Sequence, residues 1–358
     1  MTTSTVDLKK LYSKDKKKKI LVIFSIFLAL IVTILISLSF GASSPRLSEA
    51  LTVIFSKTFP FLNIGSASPL SETIIWTIRL PRIVLAIIAG AGLATAGATM
   101  QGILRNPLVS SYILGISSAA GFGAALAIVF GVSIATFAGY LVIGNAFIFC
   151  LIAMVIVYSI ARIRGMSSES VILAGVAVGF LFSALLSLIQ YIAPERNAVT
   201  AIVFWLMGGL YTASWQNILI CLPIVAIAMI LMMTQAWNIN VLSMGEDVAV
   251  SLGVNSKRIL SINMILETVA TASIISFTGI IGFVDLIAPH ISRMLIGNDH
   301  RYLIPCSALM GALMLLGADT VARLIIMPTE LPVGIVTSLI GVPFFIYLLI
   351  HKRRHRFS

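Results

Sequence analysis

Residues 20–40 read ILVIFSIFLALIVTILISLSF, an unbroken apolar run that directly follows four consecutive lysines at 16–19. A helix that rises about 1.5 Å per residue needs roughly 20 apolar residues to cross the ~30 Å hydrocarbon core of a bilayer. This run is long enough to do so. Three further stretches, 106–161, 197–245 and 331–350, contain no charged side chain. The pattern therefore predicts a chain that crosses a membrane many times.

The composition indicates the same class of protein. Of 358 residues 59% are hydrophobic and 10% are charged, and the mean hydropathy is +1.07, which excludes an ordinary soluble domain. Only α-helices or a closed β-barrel satisfy their backbone groups in lipid, and these runs do not alternate polar and apolar residues as barrel strands do. An all-α polytopic bundle of about ten transmembrane helices is therefore predicted. The spans are 20–40, one that begins after Arg82, 109–130, 133–161, 170–193, 214–236, 257–277, 279–296, 302–323 and 331–350, with 205–211 as a possible short re-entrant piece.

The basic residues cluster at the ends of the predicted spans. One membrane domain, 20–350, lies between basic tails at 1–19 and 351–358, and the first tail is expected to be disordered. With ten crossings, 17 of the 24 Lys and Arg residues fall on one side, which the positive-inside rule makes cytoplasmic. Both termini are therefore predicted to lie in the cytoplasm. A cleaved signal peptide is disfavoured, because the apolar run exceeds the usual h-region of about 7–15 residues.

Several classes of function are not indicated. The formal charge of +11 forms no basic stripe interleaved with aromatics, so contact with membrane lipid is predicted rather than with nucleic acid. Cys150, Cys221 and Cys306 lie far apart and give no disulfide or metal-ligand spacing, so neither a metal nor a cofactor is predicted. No GxxxxGK[ST], HExxH or GxSxG pattern occurs, which argues against an ATPase or another enzyme.

Four segments in order resemble the permease subunits of the iron-chelate and cobalamin importer family, the type II ATP-binding-cassette (ABC) importers. They are 79–108 with RLPR and RNPL, 205–209 (WLMGG), 244–254, and 279–293, the last continuing to LPVG at 331–334 and GVPFF at 341–345. The resemblance implies a BtuC-like permease fold and a non-enzymatic translocation pathway. Its partners would be separate ATPase subunits, an extracytoplasmic substrate-binding protein and a second permease copy in a homodimer.

The resemblance leaves the cargo open. An iron(III)-siderophore is favoured because it is the commonest assignment in the family, and cobalamin, haem or molybdate/tungstate are alternatives. A different class, an ion-coupled secondary transporter, would depend on buried acids such as Glu267, Asp285 and Asp319.

Arg79 and Arg82 lie at the outer mouth of the second span, where Pro81 can occupy the first turn of a helix, and Arg323 lies at the outer end of a later span. The resemblance implies that these three guanidinium groups face outward and receive carboxylates of the binding protein. The alternatives are snorkelling to lipid phosphates or local pairing, for instance of Arg323 with Asp319 four residues earlier.

Residues 244–254, MGEDVAVSLGV, read as a short amphipathic helix on the cytoplasmic side. Negative charge in its first turn is favourable to the helix dipole, and a glycine suits its end. The resemblance implies that this is the coupling helix that contacts the ATPase, with Gly245, Glu246, Asp247, Ala249, Leu252 and Gly253 as its residues.

Positions on the same side imply an inner gate. Asn106 and Leu108 follow the second span, and Ser167 and Ser168 precede the fifth. By resemblance these residues narrow the exit, and plain turns are the alternative.

Asp285 departs from the family, which usually has glycine at this position of the GFVDL segment 282–286. An acid at membrane depth is costly, so Asp285 is expected to face a cavity or a cation. We hypothesise that it lines the external vestibule and contributes to substrate choice, with pairing to a nearby base as the alternative. His290, which follows Pro289 within a span, is expected to be packed rather than to bind metal, because no second ligand stands at a usable spacing.

Overall fold

The computed structural model describes residues 5–41, 46–59, 61, 67–131 and 140–351. These residues form helices and connecting turns, with no β-strand among them. The helices are α1 (Thr5–Ser39), α2 (Leu47–Thr58), α3 (Pro69–Glu72), α4 (Leu80–Ile103), α5 (Ile116–Phe130), α6 (Leu141–Ile163), α7 (Ser168–Ile192), α8 (Arg196–Leu206), α9 (Trp215–Thr234), α10 (Ala236–Ser243), α11 (Glu246–Ser251), α12 (Ser256–Thr278), α13 (Val284–Ile296), α14 (His300–Leu324) and α15 (Val333–His351). A π-helical segment, Thr73–Arg79, joins α3 to α4.

The predicted all-helical membrane class is confirmed. In the part of the chain that the structure describes, seven segments are long and apolar enough to cross a bilayer: Ser13–Ser39, Pro69–Ile103, Leu141–Ile163, Ser168–Ile192, Trp215–Thr234, Ser256–Thr278 and His300–Leu324. The other three predicted spans correspond to α5, α13 and α15. Since α5 and α13 have only 15 and 13 residues, they are shorter than the roughly 20 that a full crossing needs.

Two segments differ from expectation. Residues 5–19, predicted as a disordered tail, are helical and continuous with the first span. Lysine is a good helix former, and an ion pair between Asp15 and Lys19, at 2.6 Å and one turn apart, stabilises the helix further. The stretch between the first two predicted spans, for which no helix was predicted, contains helix α2, which buries Ala50 and Val53. The predicted C-terminal tail, from 352 onward, lies outside the described residues.

Helices α4, α12 and α14 form the centre of the bundle. The most apolar windows of their spans are 83%, 72% and 61% buried, whereas those of α6, α7 and α9 are 28% buried and that of α1 only 17%. A transmembrane helix that leaves most of its apolar surface uncovered faces lipid or a partner chain. The peripheral helices therefore enclose a core that carries most of the buried polar groups.

Small residues allow the central helices to pack closely. A Cβ placed on Gly90 of α4 would lie 2.3 Å from the Gly311 carbonyl oxygen of α14, and one on Gly97 would lie 1.8 Å from the Asp285 carbonyl oxygen of α13. Without Cβ atoms the backbones approach directly, which strengthens helix association where lipid offers no hydrophobic drive. The glycines of α4 therefore serve close packing of the central helices.

Candidate functional site

The start of α4 and the end of α14 share a buried cluster of charges. Arg82 Nε donates a hydrogen bond of 2.9 Å to Asp319 Oδ1, and Arg82 Nη1 lies 2.6 Å from Glu330 Oε2. The Asp319 side chain is fully buried, and Glu330 is 39% exposed. The Arg82 guanidinium also lies 5.7 Å from the centre of the Tyr211 ring. Arg82 is thus held by two carboxylates and an aromatic face.

The other two predicted docking arginines lie in the same region. Arg323 Nε donates to Asp319 Oδ2 at 3.2 Å, and its Nη2 donates to Ser37 Oγ at 2.5 Å. Arg79 donates through Nη1 to the Leu38 carbonyl oxygen. All three arginines are buried against other parts of the chain, and the expectation that they face the outer side of the membrane stays a prediction. The alternative pairing of Arg323 with Asp319 is present, and docking of a partner at this cluster stays a prediction.

A cavity of about 660 Å³ lies beside the starts of α13 and α15. Most of its wall is apolar, with Met207, Phe283 and Leu339 among its residues. Tyr112, which is 62% exposed, also lines the cavity. Asp285 lies in this wall, so the expectation that it faces a cavity agrees with its position.

The Asp285 carboxylate is nevertheless satisfied within the chain. Its Oδ2 accepts hydrogen bonds from the Ser111 backbone N–H at 2.8 Å and from Ser111 Oγ at 2.7 Å. Asp285 also lies in the first turn of α13, where a negative charge is favourable. The alternative given from the sequence was pairing with a nearby base. The structure instead shows Ser111 as the partner, through its hydroxyl and its backbone N–H. Hydrogen bonds and a helix terminus therefore stabilise this acid without a cation.

The predicted gate residues lie in capped turns. Asn106 Oδ1 accepts from the Leu108 backbone N–H at 3.0 Å, which is an Asx turn, and Leu108 is 40% exposed. Ser167 Oγ accepts from the Ser170 N–H at 3.2 Å and so caps the start of α7. The turn interpretation therefore describes the local structure of these residues, and the gate role stays a prediction.

The predicted coupling segment does contain a helix, α11. Ala249 is fully buried and anchors it, whereas Val250 and Leu252 are 65% and 62% exposed. Gly253, with φ of 76°, ends it in the left-handed conformation that glycine tolerates best. Glu246 and Asp247 are exposed in its first turn, so α11 presents acidic and apolar side chains together.

The beginning of α11 lies next to one half of the predicted gate. A cavity of about 350 Å³ is lined by Ser167 and Ser168 of α7 and its cap, by Arg105 after α4, and by Glu246 of α11. Glu246 Oε1 accepts a hydrogen bond of 2.8 Å from Ser256 Oγ, which connects α11 to α12. The start of α11, the start of α12 and the α6–α7 turn therefore border one cavity.

Sequence reasoning missed three residues of these sites. Glu330 and Ser111 are polar residues in turns, with no periodicity to mark them, and their partners lie 248 and 174 residues away. Gln101 lies within the segment 79–108 that carries the family resemblance, but no role was predicted for it. Its Nε2 lies 3.4 Å from the carbonyl oxygens of Val109 and Asp285. Gln101 therefore joins the end of α4 to the turn after Leu108 and to α13.

Among the described residues no group of three or more His, Cys, Asp or Glu side chains could hold a metal ion. Cys150, Cys221 and Cys306 are buried free thiols. The described residues thus form a helical membrane bundle with a polar core and an exposed acidic helix, α11.

Comparison with known proteins gives the family. Residues 29–351 match the FecCD transport family, and the chain belongs to that family. It is 42% identical to a protein named as an ABC transporter permease in Methanocaldococcus jannaschii, over 96% of this chain and 98% of that one. It is 41% identical to the cobalamin import system permease protein BtuC of Halobacterium salinarum, over 86% of this chain and 84% of the relative.

A solved structure has the same fold. It is described as a metal-chelate type ABC transporter in an inward-facing conformation, and it superimposes with a TM-score of 0.80 at 35% identity, over 92% of this chain and 98% of the other. The chain is thus a permease subunit of a type II ABC importer in a cell membrane, and the family implies a separate ATPase and a substrate-binding protein. Membership of this family replaces the alternative prediction that the chain is an ion-coupled secondary transporter.

Proposed function

We propose that the chain forms the translocation pathway for a metal chelate, with an iron(III)-siderophore as the favoured cargo. The observation that carries this proposal is the largely apolar cavity of about 660 Å³ beside α13 and α15 in a fold shared with a metal-chelate type transporter. Ligand sites of a few hundred to about 1,000 Å³ accommodate compact organic molecules. Cobalamin, haem and molybdate or tungstate are the alternative cargoes.

We propose that a second copy of the chain completes the pathway as a homodimer. The wall of the cavity includes exposed apolar side chains, among them Leu339, which is 68% exposed, and Met207, which is 38% exposed. Such residues at the edge of a cavity fit a partner surface better than they fit water. On this proposal each copy supplies half of the pathway.

The arginine cluster is the proposed docking face for the substrate-binding protein. Arg79, Arg82 and Arg323 carry three positive charges against the two carboxylates of Asp319 and Glu330, so the cluster keeps one net positive charge. Glu330 is the more exposed acid, and a carboxylate of the binding protein can exchange with it on Arg82. Electrostatic complementarity of this kind sets the orientation of docking more than its strength.

At the opposite end, α11 is the proposed ATPase contact, and both termini are proposed to lie on this cytoplasmic side. Asn106, Leu108, Ser167 and Ser168 are proposed to narrow the exit. The cavity lined by Ser167, Ser168 and Glu246 of α11 supports this proposal. It places the α6–α7 turn next to the helix that an ATPase would move.

Transport assays test the coupling role of α11. The chain is reconstituted in vesicles with its ATPase and binding protein, and uptake of a radiolabelled iron(III)-hydroxamate, cyanocobalamin, haemin or molybdate is measured in separate arms. A V250D/L252D variant should lower ATP-dependent uptake by at least about tenfold, because it places charges where apolar side chains enter a partner surface. Leu70→Asp, at an exposed apolar position on α3, is the matched control and should retain uptake.

Two results would refute parts of this proposal. ATP-dependent uptake that is unchanged in the V250D/L252D variant would remove the coupling role of α11. Uptake of cobalamin, haemin or molybdate with none of the iron chelate would replace the favoured cargo by that substrate.

The contribution of Asp285 to substrate choice is tested in the same vesicles with Asp285→Gly. A direct charge contact with cargo requires the bonds to Ser111 to break, and the variant should then change apparent affinity or selectivity. Unchanged affinity and selectivity would show that Asp285 acts only on the structure.

A further inference from the structure

A second cavity, of about 600 Å³, has a different chemical character. It lies where α4, α10, α13 and α14 meet, at the same end of the bundle as α11. Its polar lining includes Arg105, Arg293, Asn298 and His300, and none of its lining residues among those described is acidic. Two guanidinium groups therefore share a concave surface without a carboxylate in its wall.

Neither arginine has a carboxylate within ion-pair distance in the part of the chain that the structure describes, and Arg105 also borders the cavity that Glu169 and Glu246 line. Among the described residues, Arg105 and Arg293 form no ion pair, and the recorded hydrogen bond of Arg293 is a long one, 3.4 Å from Nη1 to the neutral amide oxygen of Gln101. Arg105 has a φ of 50°, a left-handed backbone conformation that is uncommon for a residue with a side chain. Such conformations concentrate at functional positions.

Asp299, which lies between the lining residues Asn298 and His300, has its own cation. Its Oδ2 lies 2.7 Å from Arg301 Nη2, and its Oδ1 accepts from Asn240 Nδ2 at 2.8 Å. Hydrogen bonds from Arg301 lower the pKa of Asp299 to about 2, so it stays ionised and paired with Arg301 at neutral pH. Asp299 therefore does not compensate the charge of Arg105 or Arg293.

His300 adds a polar atom that lacks a partner. Asn240 Oδ1 accepts from the His300 backbone N–H and lies 2.8 Å from its Nδ1. Because Asn240 donates its amide N–H to Asp299, the amide orientation is fixed and the His300 proton resides on Nδ1. His300 is 3% exposed, and its Nε2 is buried without a hydrogen-bond partner among the described residues. A ligand hydroxyl could donate to this nitrogen.

We propose that this cavity binds a phosphate group, which Arg105 and Arg293 hold. Arginine is the side chain best suited to phosphate, because its planar donors can engage two oxygens at once. The phosphate can come from the headgroup of an anionic phospholipid or from free phosphate, and the surroundings favour the lipid. Met294 lines the cavity and is 65% exposed, and Trp237 of α10 is 60% exposed beside Arg301. Exposed apolar and aromatic residues next to basic ones are typical of the membrane–water interface.

Native mass spectrometry of the purified, delipidated full-length chain tests the site. Separate titrations use dioctanoyl phosphatidylglycerol, dioctanoyl phosphatidylcholine and inorganic phosphate. Phosphatidylglycerol should bind saturably, with one molecule per chain. Arg293→Gln and Arg105→Gln should each weaken binding by roughly tenfold, since a hydrogen bond to a charged group contributes about that much to affinity. Arg105 is exposed, so its variant should fold even if Arg293→Gln does not.

Arg258→Gln is the matched control, because Arg258 is an exposed arginine at the start of α12 and lies outside the cavity. The affinity of the Arg258→Gln variant for phosphatidylglycerol should equal that of the unmodified chain. Saturable binding of inorganic phosphate that the two cavity variants weaken would identify free phosphate as the source. Absence of saturable binding in all three titrations would overturn the proposal. Equal losses in Arg258→Gln and in the cavity variants would overturn it too.

Discussion

The carboxylate of Asp319 joins two of the buried arginines. It bridges Arg82 of α4 and Arg323 of its own helix, and its side chain is fully buried. Removal of one member of a buried ion pair leaves the other charge without compensation, which costs about 3–5 kcal/mol. We therefore expect Asp319→Asn to lower the free energy of unfolding by about 3 kcal/mol. Reversible unfolding in mixed detergent and SDS micelles measures the loss.

Glu72→Gln provides the comparison. It breaks the Lys57–Glu72 pair, in which both side chains are 44% exposed, and exposed pairs contribute at most about 1 kcal/mol. If both variants lost the same stability, burial of Asp319 would not be what makes its pair important.

Asp285 and Ser111 form the second buried polar pair. Ser111→Ala removes the hydroxyl but keeps the backbone N–H, whereas Asp285→Leu removes the acceptor and leaves both Ser111 donors unsatisfied. An unsatisfied buried donor costs about 1–3 kcal/mol. Asp285→Leu should therefore destabilise the protein more than Ser111→Ala in the same unfolding assay. The reverse order would mean that the carboxylate is not held by Ser111.

The sequence allows some of these pairs to be predicted but not others. Arg323 and Asp319 lie four residues apart on one helix, a spacing that puts them on the same face, and their pairing was one of the stated alternatives. The Arg82–Asp319 bond joins residues 237 positions apart. Such a contact depends on the crossing of α4 and α14, which hydropathy and local spacing do not determine.

The crossing of α4 with its neighbours depends on glycines. Gly97→Ala would place a Cβ 1.8 Å from the Asp285 carbonyl oxygen, so α4 and α13 would have to separate. We expect a loss of about 2 kcal/mol or more in unfolding free energy, in the range for overpacked cores. The loss would exceed the gain of about 1 kcal/mol that alanine usually brings over glycine within a helix.

Gly317 of α14 is the matched control for Gly97. A Cβ there would meet no described heavy atom within 4 Å outside its own stretch of α14, so Gly317→Ala should be neutral or stabilising. Destabilisation by Gly317→Ala of the same size as by Gly97→Ala would indicate a general intolerance of substitution rather than a close helix contact. The same SDS unfolding assay measures both variants.

The long helices were predictable because an apolar run of about 20 residues has few other structures available in lipid. Helix α2 was missed, since it mixes polar and apolar residues and depends on packing of Ala50 and Val53 against the bundle. The short helix α13 was predicted as a span at 279–296, but it begins only at Val284, after Phe283 adopts a φ of 69°. A positive φ at a single residue leaves no apolar pattern in the sequence, so the start of α13 could not be predicted from hydropathy.

Helix α4 connects the two proposed functional ends of the molecule. It begins beside the arginine cluster and ends next to Gln101 and Arg105, and its 24 residues span about 36 Å at 1.5 Å each. At one end it reaches Asp319 and Glu330, and at the other it borders the cavities near α11. A movement of α4 as a rigid body would therefore change both ends together, which is what transport coupled to docking and to ATP requires.

This arrangement requires that α3 and α11 lie on opposite sides of the membrane, and cysteine labelling tests it. Cys150, Cys221 and Cys306 are buried, so the unmodified chain should react little with a membrane-impermeant maleimide. Leu70→Cys on α3 and Leu252→Cys after α11 replace side chains that are 71% and 62% exposed. In spheroplasts of the expression host, Leu70→Cys should be labelled at once and Leu252→Cys only after permeabilisation. Labelling of Leu252→Cys in intact spheroplasts would place α11 outside, where no ATPase could contact it.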